Sequence, residues 1–102
     1  MAKSREELHS LLVSIAGNRN VYFQPPENIR MNYPAIVYSR SDIRNTFADN
    51  DPYAQHRVYE LIVIDKDPES EIVDNVSLLP LCRFNRHYKS DNLNHDVFTL
   101  YF

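Results

Sequence analysis

The stretch YSRSDIRNTFADNDPYAQHRVYEL, Tyr38–Leu61, decides how the chain divides into elements. AIVYS, from Ala35 to Ser39, reads as one strand, and HRVYELIVID, from His56 to Asp65, reads as another. Between them, Arg40 to Gln55 contains no glycine, whereas a tight hairpin favours Asn-Gly or Asp-Gly at its bend. The segment therefore reads as a long link, and links of that length in compact domains are usually functional or disordered. Ile43, Phe47 and Tyr53 within it are apolar groups for which a purely solvated loop has no use.

Upstream of this stretch, Ser4 and Glu7 form an S-x-x-E capping box, which predicts a helix start. Leu8, Leu11, Leu12 and Ile15 follow at helical spacing as one apolar stripe, the pattern of a helix packed on a core. Gly17 and Asn18 supply the stop. NVYFQPP then reads as a short strand ended by Pro25 and Pro26, which cannot donate to a ladder. ENIRMNYP is a connector, in which Pro34 biases Tyr33 towards extended geometry.

Downstream, Tyr59, Leu61 and Val63 alternate with Val58, Ile62 and Ile64, so both faces of the third strand are apolar. That pattern places the strand at the centre of a sheet. DKDPESEIVDNVSLLPLC predicts a second helix, with Asp67 as N-cap and Pro68 in the first turn. Glu69 and Glu71 fall near the positive end of its dipole, Ile72, Val73, Val76 and Leu79 form its apolar face, and Pro80 ends it. CRFNRHYK alternates as a strand with Phe84 and Tyr88 on one face, SDNLN turns the chain, and HDVFTLYF closes as the last strand. The expected fold is α+β, a mostly antiparallel sheet of about five strands flanked by two helices in the order α-β-β-β-α-β-β. Leu12, Ile15, Leu61, Val63, Ile72, Val76 and Phe84 are its expected core.

With 102 residues the chain is one domain, residues 1–102. It can bury roughly two thirds of its unfolded surface without metal or disulfide support. A net charge of −3 argues against general binding to a phosphate backbone, which needs a cationic excess. The only cysteine, Cys82, has no internal partner and reads as a buried thiol of a reduced, intracellular-type protein. MAKSREELHSLL lacks the pattern of a signal peptide, and no apolar run approaches the roughly 20 residues of a membrane span. Gly17 is the only glycine, so neither the dinucleotide fingerprint nor the phosphate-cradling loop can be built.

Four histidines and fourteen acidic residues invite an enzyme reading. His87, His95, Asp91 and Asp96 flank the final turn, but their spacing matches no metal-site class, so solvated polar side chains beside a turn are the simpler reading. Cys82 and His87, five residues apart on one strand, are expected on opposite faces. Ser39 or Ser41 with Asp42 lacks the glycine-flanked elbow of a serine nucleophile. Asp65, Asp67 and Glu71 lack the glycine and the final glutamate of a calcium loop. Arg83, Arg86 and Lys89 beside Phe84 and Tyr88 have the types of an RNA-binding strand, but the two aromatics are better used as core. No catalytic, cofactor-binding or metal residue is expected.

NYPAIVYSRSDIRNTFADN, HRVYELIVIDKDPESEI and LPLCRFNRHYKSDNLNHDVFTLYF together resemble the small tail-terminator, or tail-completion, proteins of long-tailed bacteriophages of Gram-positive hosts. The resemblance runs from about Val21 to the end, and its motifs are structural, with no catalytic signature. It implies a non-enzymatic virion protein made in the host cytoplasm. Such proteins form a homo-oligomeric ring, commonly a hexamer, at the head-proximal end of the tail tube. There they end tube growth and join the tail to the head connector. The implied partners are other copies of itself, the major tail tube protein and the connector or stopper protein. Genome DNA passes through without sequence-specific binding, and no membrane is involved. Alternatives are another neck component, an adaptor or stopper, and a small non-viral binding or regulatory module.

A ring subunit needs an arm that reaches its neighbour, and head-to-tail contacts close when the rotation allows. The long link then supplies apolar anchors, Ile43, Phe47 and Tyr53, with Arg40, Asp42, Arg44 and Asp49 as rim charges. The alternative is a link folded back over its own sheet.

Overall fold

The computed structural model describes residues 4–26, 29–48 and 51–102, and their side chains except at 42–48 and 51–56. Helix α1 (Arg5–Ala16) begins as the capping box predicts: Ser4 Oγ accepts the Glu7 backbone N–H at 3.2 Å. Glu7 Oε1 returns to the Ser4 hydroxyl at 3.3 Å rather than to its backbone. The helix ends at Gly17, whose φ of +70° is left-handed and whose N–H reaches Val13 O at 3.0 Å. Strand β1 (Val21–Phe23) pairs in parallel with β2 (Ala35–Ala48), and β2 pairs antiparallel with β3 (Asp51–Asp65). Helix α2 (Glu71–Ser77) leads to β4 (Cys82–Ser90) and β5 (Leu93–Tyr101). The sheet order is β1-β2-β3-β5-β4, so the fold is the expected α+β, with β3 in the centre.

The long link is not a loop. Arg40–Ala48 and Asp51–Tyr59 continue the two strands as a ladder that runs to Ala48↔Asp51, closed by a two-residue connection. Pairing gives the polar backbone groups of this stretch a partner in each other, where a loop would leave them to solvent. Two register shifts are absorbed, with Ser41 the extra residue between Arg40 and Asp42 and Tyr53 the extra residue opposite Thr46 and Phe47. At the first, Ser41 Oγ donates to Val58 O at 3.1 Å.

Helix α2 is shorter than expected and starts later, because the acids before it are used otherwise. Asp65 Oδ1 accepts the Asp67 N–H at 3.0 Å, and Asp67 Oδ1 accepts the Glu69 N–H at 2.9 Å. Aspartate side chains that take backbone donors in this way hold turns against helix. The N-cap is therefore the buried Ser70, whose Oγ accepts the Ile72 N–H at 3.3 Å, and not Asp67.

Both helices lie on one face of the sheet. Leu8 and Leu12 of α1 and Ile72 and Val76 of α2 pack on Ile36, Tyr38, Tyr59, Leu61, Val63, Phe98 and Leu100. Removing each such aliphatic side chain from water stabilises the fold by about 1.5–3 kcal/mol. The other face buries Ala35, Val58, Ile64 and Val97, as expected of a strand apolar on both sides. Leu12, Leu61, Val63, Ile72 and Val76 are buried as expected, and Ile15 is half-buried against the cluster.

Phe84 is a correction: it is 52% exposed, and Tyr88 is exposed with it. Strand β4 is an edge, so Phe84 has a sheet neighbour on one side only. It caps the fully buried Phe98 edge-to-face, with ring centroids 5.5 Å apart.

Candidate assembly surface

The β2–β3 hairpin outruns its sheet. Strand β1 ends at Phe23↔Tyr38 and β5 ends at Tyr101↔Val58, with the Phe102 N–H reaching Arg57 O. Beyond Ile43↔Arg57, out to Ala48↔Asp51, the two strands have no other strand beside them among the described residues. This ribbon is about 20 Å long at the usual strand rise, and the molecule measures 50 × 24 × 22 Å. Of the residues expected to meet a neighbour, Asp42 stands opposite Val58, Ile43 opposite Arg57, Arg44 opposite His56 and Phe47 opposite Pro52 in the ladder. Their side chains, that of Tyr53 and all of Asp49 lie outside the described residues. Arg40 is described: it is exposed and stands at the root of the ribbon.

Arg40 does not stand alone there. A cleft of about 460 Å³ opens where the ribbon leaves the sheet, lined by Ser4, Arg5, Phe23, Gln24, Arg40, Arg57 and Tyr59. Three guanidinium-bearing side chains share this lining among the described residues. Arg5 is held in place: its Cζ lies 4.7 Å from the Phe23 ring centroid, and its Nη1 donates to Tyr38 Oη at 3.2 Å. Tyr38 Oη also lies 2.7 Å from His9 Nδ1, and its ring packs on Phe23 and Tyr59 at 4.9 and 6.1 Å between centroids. Burial pushes the Tyr38 phenol above its ordinary pKa, so it is a neutral hydrogen-bonding group in this network. Gln24, at φ +43°, turns its Oε1 to accept the Arg40 backbone N–H at 3.4 Å. Residues from α1, β1, β2 and β3 converge here from four separate parts of the chain. Sequence spacing carries no signal for such a cluster, of which the sequence points to Arg40 alone.

The chemically suggestive residues do not assemble. The final hairpin sets His87 and His95 on opposite faces, since their ladder partners, Asp96 and Tyr88, alternate along it. His87 Nδ1 lies 2.8 Å from Asp96 Oδ1, whereas the His95 ring stacks on Tyr88 at 4.6 Å. No group of three or more metal-ligating side chains occurs among the described residues.

Cys82 and His87 share a face, contrary to simple alternation, because Asn85 is an extra residue between Phe84 and Arg86 and resets the phase. They pair with Leu100 and Asp96, about 13 Å apart along β5, so they still make no catalytic pair. Burial raises the Cys82 thiol above its ordinary pKa, which disfavours the thiolate that a nucleophile needs.

Towards the opposite edge of the sheet from the cleft, Leu78, Leu81 and Phe84, between the end of α2 and β4, are exposed. No described helix is long and apolar enough to cross a membrane. No protein-family model matches the chain, and no curated protein matches its sequence.

Proposed function

We propose that this chain is a ring-forming structural subunit of the neck of a long-tailed bacteriophage, at the head-proximal end of the tail tube. In this reading it ends tube growth and joins the tail to the head connector, acting by assembly and not by catalysis. The sequence resemblance motivates the reading, and the ribbon from Ile43↔Arg57 to Ala48↔Asp51 carries its physical side. A two-stranded hairpin without a third strand is marginal in water and gains stability when a surface covers it. An arm about 20 Å long, set at one end of a small sheet, is the shape a subunit needs to reach the next copy. Its partners are other copies of itself, the tail tube protein and the connector or stopper, with DNA passing through the lumen.

Mass by light scattering, alone and with tail tube protein, tests the proposal. The expected result is a closed species of discrete mass, a multiple of the 12.0 kDa subunit, that shortens or caps growing tubes. A monomer at all concentrations, without effect on tube length, would overturn it.

A further inference from the structure

We infer that the face of the β4–β5 hairpin turned away from the helices is a contact for single-stranded nucleic acid, with phosphates on Arg83 and Arg86 and a base on the Tyr88 ring. The inference goes beyond the ring reading and does not depend on it. From sequence, these residues lose the character of a nucleic-acid strand only because Phe84 and Tyr88 are better used as core. In the structure every residue of β4 after Cys82 is exposed, Tyr88 at 37%.

The bulge at Asn85 makes the row. Residues three apart on a regular strand point to opposite faces, so Arg83 and Arg86 would otherwise part. With Asn85 as the extra residue, Arg83 pairs with Thr99, Arg86 with Val97 and Tyr88 with His95, every second residue of β5. The three therefore share one face over about 13 Å of strand. It is the face without helices, since the alternate residue Phe98 packs in the helix-covered core. Asn85 turns the same way, donating through Nδ2 to Thr99 Oγ1 at 2.7 Å.

Neither Arg83 nor Arg86 has a carboxylate partner among the described residues. On this face of the ladder Glu60 stands opposite Thr99, two strands from Arg83 and about 10 Å away. Tyr88 is held as a platform. His95 stacks on it with 4.6 Å between centroids and 10° between planes, and His95 Nδ1 donates to Leu93 O at 3.1 Å. Strand β4 is the outermost of the sheet, so no strand lies beside the other face of the ring. Arg86 Cζ lies 5.7 Å from the Tyr88 centroid, which places cation and ring in one surface. Cations that follow a phosphate chain, beside an aromatic ring on which a base stacks, hold single strands without reading their sequence. A duplex keeps its bases stacked on each other and has none to offer the ring. The net charge of −3 gives no long-range attraction, so the contact is weak and local.

The test is fluorescence anisotropy of a labelled oligothymidylate of about twelve nucleotides, with circular dichroism to confirm that each variant is folded. The wild-type chain should bind at low salt with a Kd of about 100 µM or tighter. With two phosphates neutralised, affinity should fall about 25-fold as salt is raised from about 0.05 to 0.5 M. Arg83→Gln/Arg86→Gln should weaken binding about tenfold or more and flatten that salt dependence. Tyr88→Leu should weaken it about fivefold or more, whereas Tyr88→Phe should keep it, because the ring is what a base stacks on. No binding at low salt, or binding that these variants leave unchanged, would overturn the contact. Equal affinity for the duplex of the same length, or for polyglutamate of like length, would overturn it too: the first leaves the ring without a base, and the second gives the face to an acidic protein. Association of the same samples is read separately by light scattering, so failure of this contact and failure of the ring reading are distinct results.

Discussion

The two hairpins of this molecule carry the same dipeptide between their strands and are put to opposite uses. In the β4–β5 hairpin, Ser90↔Leu93 is closed by Asp91 and Asn92, with φ of +52° and +63°. Two consecutive left-handed residues are the signature of a type I′ turn, whose twist suits antiparallel strands. In the β2–β3 hairpin the ladder runs to Ala48↔Asp51, and the sequence between them is Asp49-Asn50, the same pair of residue types. The first hairpin lies beside β3 along its length, and its inner strand has no exposed residue. The second is shared: its root is the centre of the sheet and its far half stands clear of it. One pairing rule thus yields a stabilising element in one place and an unsupported one in the other. What differs is only whether a third strand lies alongside.

The largest expected effect is at the point where both hairpins meet. Leu61 is fully buried between Tyr38 and Phe98 in the ladder, so Leu61→Ala should cost about 2–5 kcal/mol in denaturant unfolding. A loss under about 0.5 kcal/mol would remove β3 from the centre of the fold. Next comes the arm. Phe47→Ala should leave the melting temperature of the isolated subunit nearly unchanged and weaken ring assembly by about 2 kcal/mol per contact, as truncation of an aromatic anchor does. A destabilised monomer that still closes into rings would return the ribbon to its own subunit and erase the contrast between the hairpins. A smaller effect belongs to the final turn: Asn92→Val should cost about 1–2 kcal/mol, because a β-branched residue resists the left-handed conformation. Asn92→Gly should cost nothing, and equal stability of the two variants would mean that the turn does not set this hairpin.

The smallest effect is a pH dependence at Cys82. Burial raises its thiol pKa, so the folded state holds the proton more tightly than the unfolded chain. Its contribution is complete below the ordinary thiol value of about 8.5 and is lost as pH rises through the higher folded value. Urea midpoints should therefore fall between about pH 8 and 10, and Cys82→Ser should flatten that decline. A wild-type midpoint unchanged across this window would place the thiol in a water-like environment. Above it the raised Tyr38 phenol adds a second loss of the same sign.

Local signals were legible where one residue type does one job. Ser4, Glu7 and Gly17 announce α1, and the double apolar face of Val58–Ile64 announces a central strand. The β2–β3 hairpin was hidden because its bend lacks glycine, although Asp and Asn tolerate the left-handed region best among the other residues. The repeat of Asp-Asn at 49–50 and 91–92, each between strand-like runs, is the signal that would have found it. The start of helix α2 is not legible because Asp67 can cap a helix or close a turn, and its choice depends on Asp65 and Glu69 beside it. Phe84 reads as core from sequence because alternation tells which face a residue is on but not whether the strand is an edge. The arginine cleft was beyond reach, since Arg5, Arg40 and Arg57 become neighbours only through the sheet order.

The extra residue at Asn85 has a bearing on how such a subunit survives before it assembles. An edge strand offers a row of unpaired backbone groups to any extended chain, and uncontrolled strand addition leads to aggregation. On β4 the ladder is broken midway by the bulge, where Asn85 Nδ2 turns inward to Thr99 Oγ1 at 2.7 Å. Arg83, Arg86 and Lys89 charge the same strand on both sides of the break. An incoming strand would lose register halfway and meet like charges if it came from the β4 edge of another copy. The free subunit is thereby guarded against amyloid-like stacking along this open edge, and remains available for contacts that close.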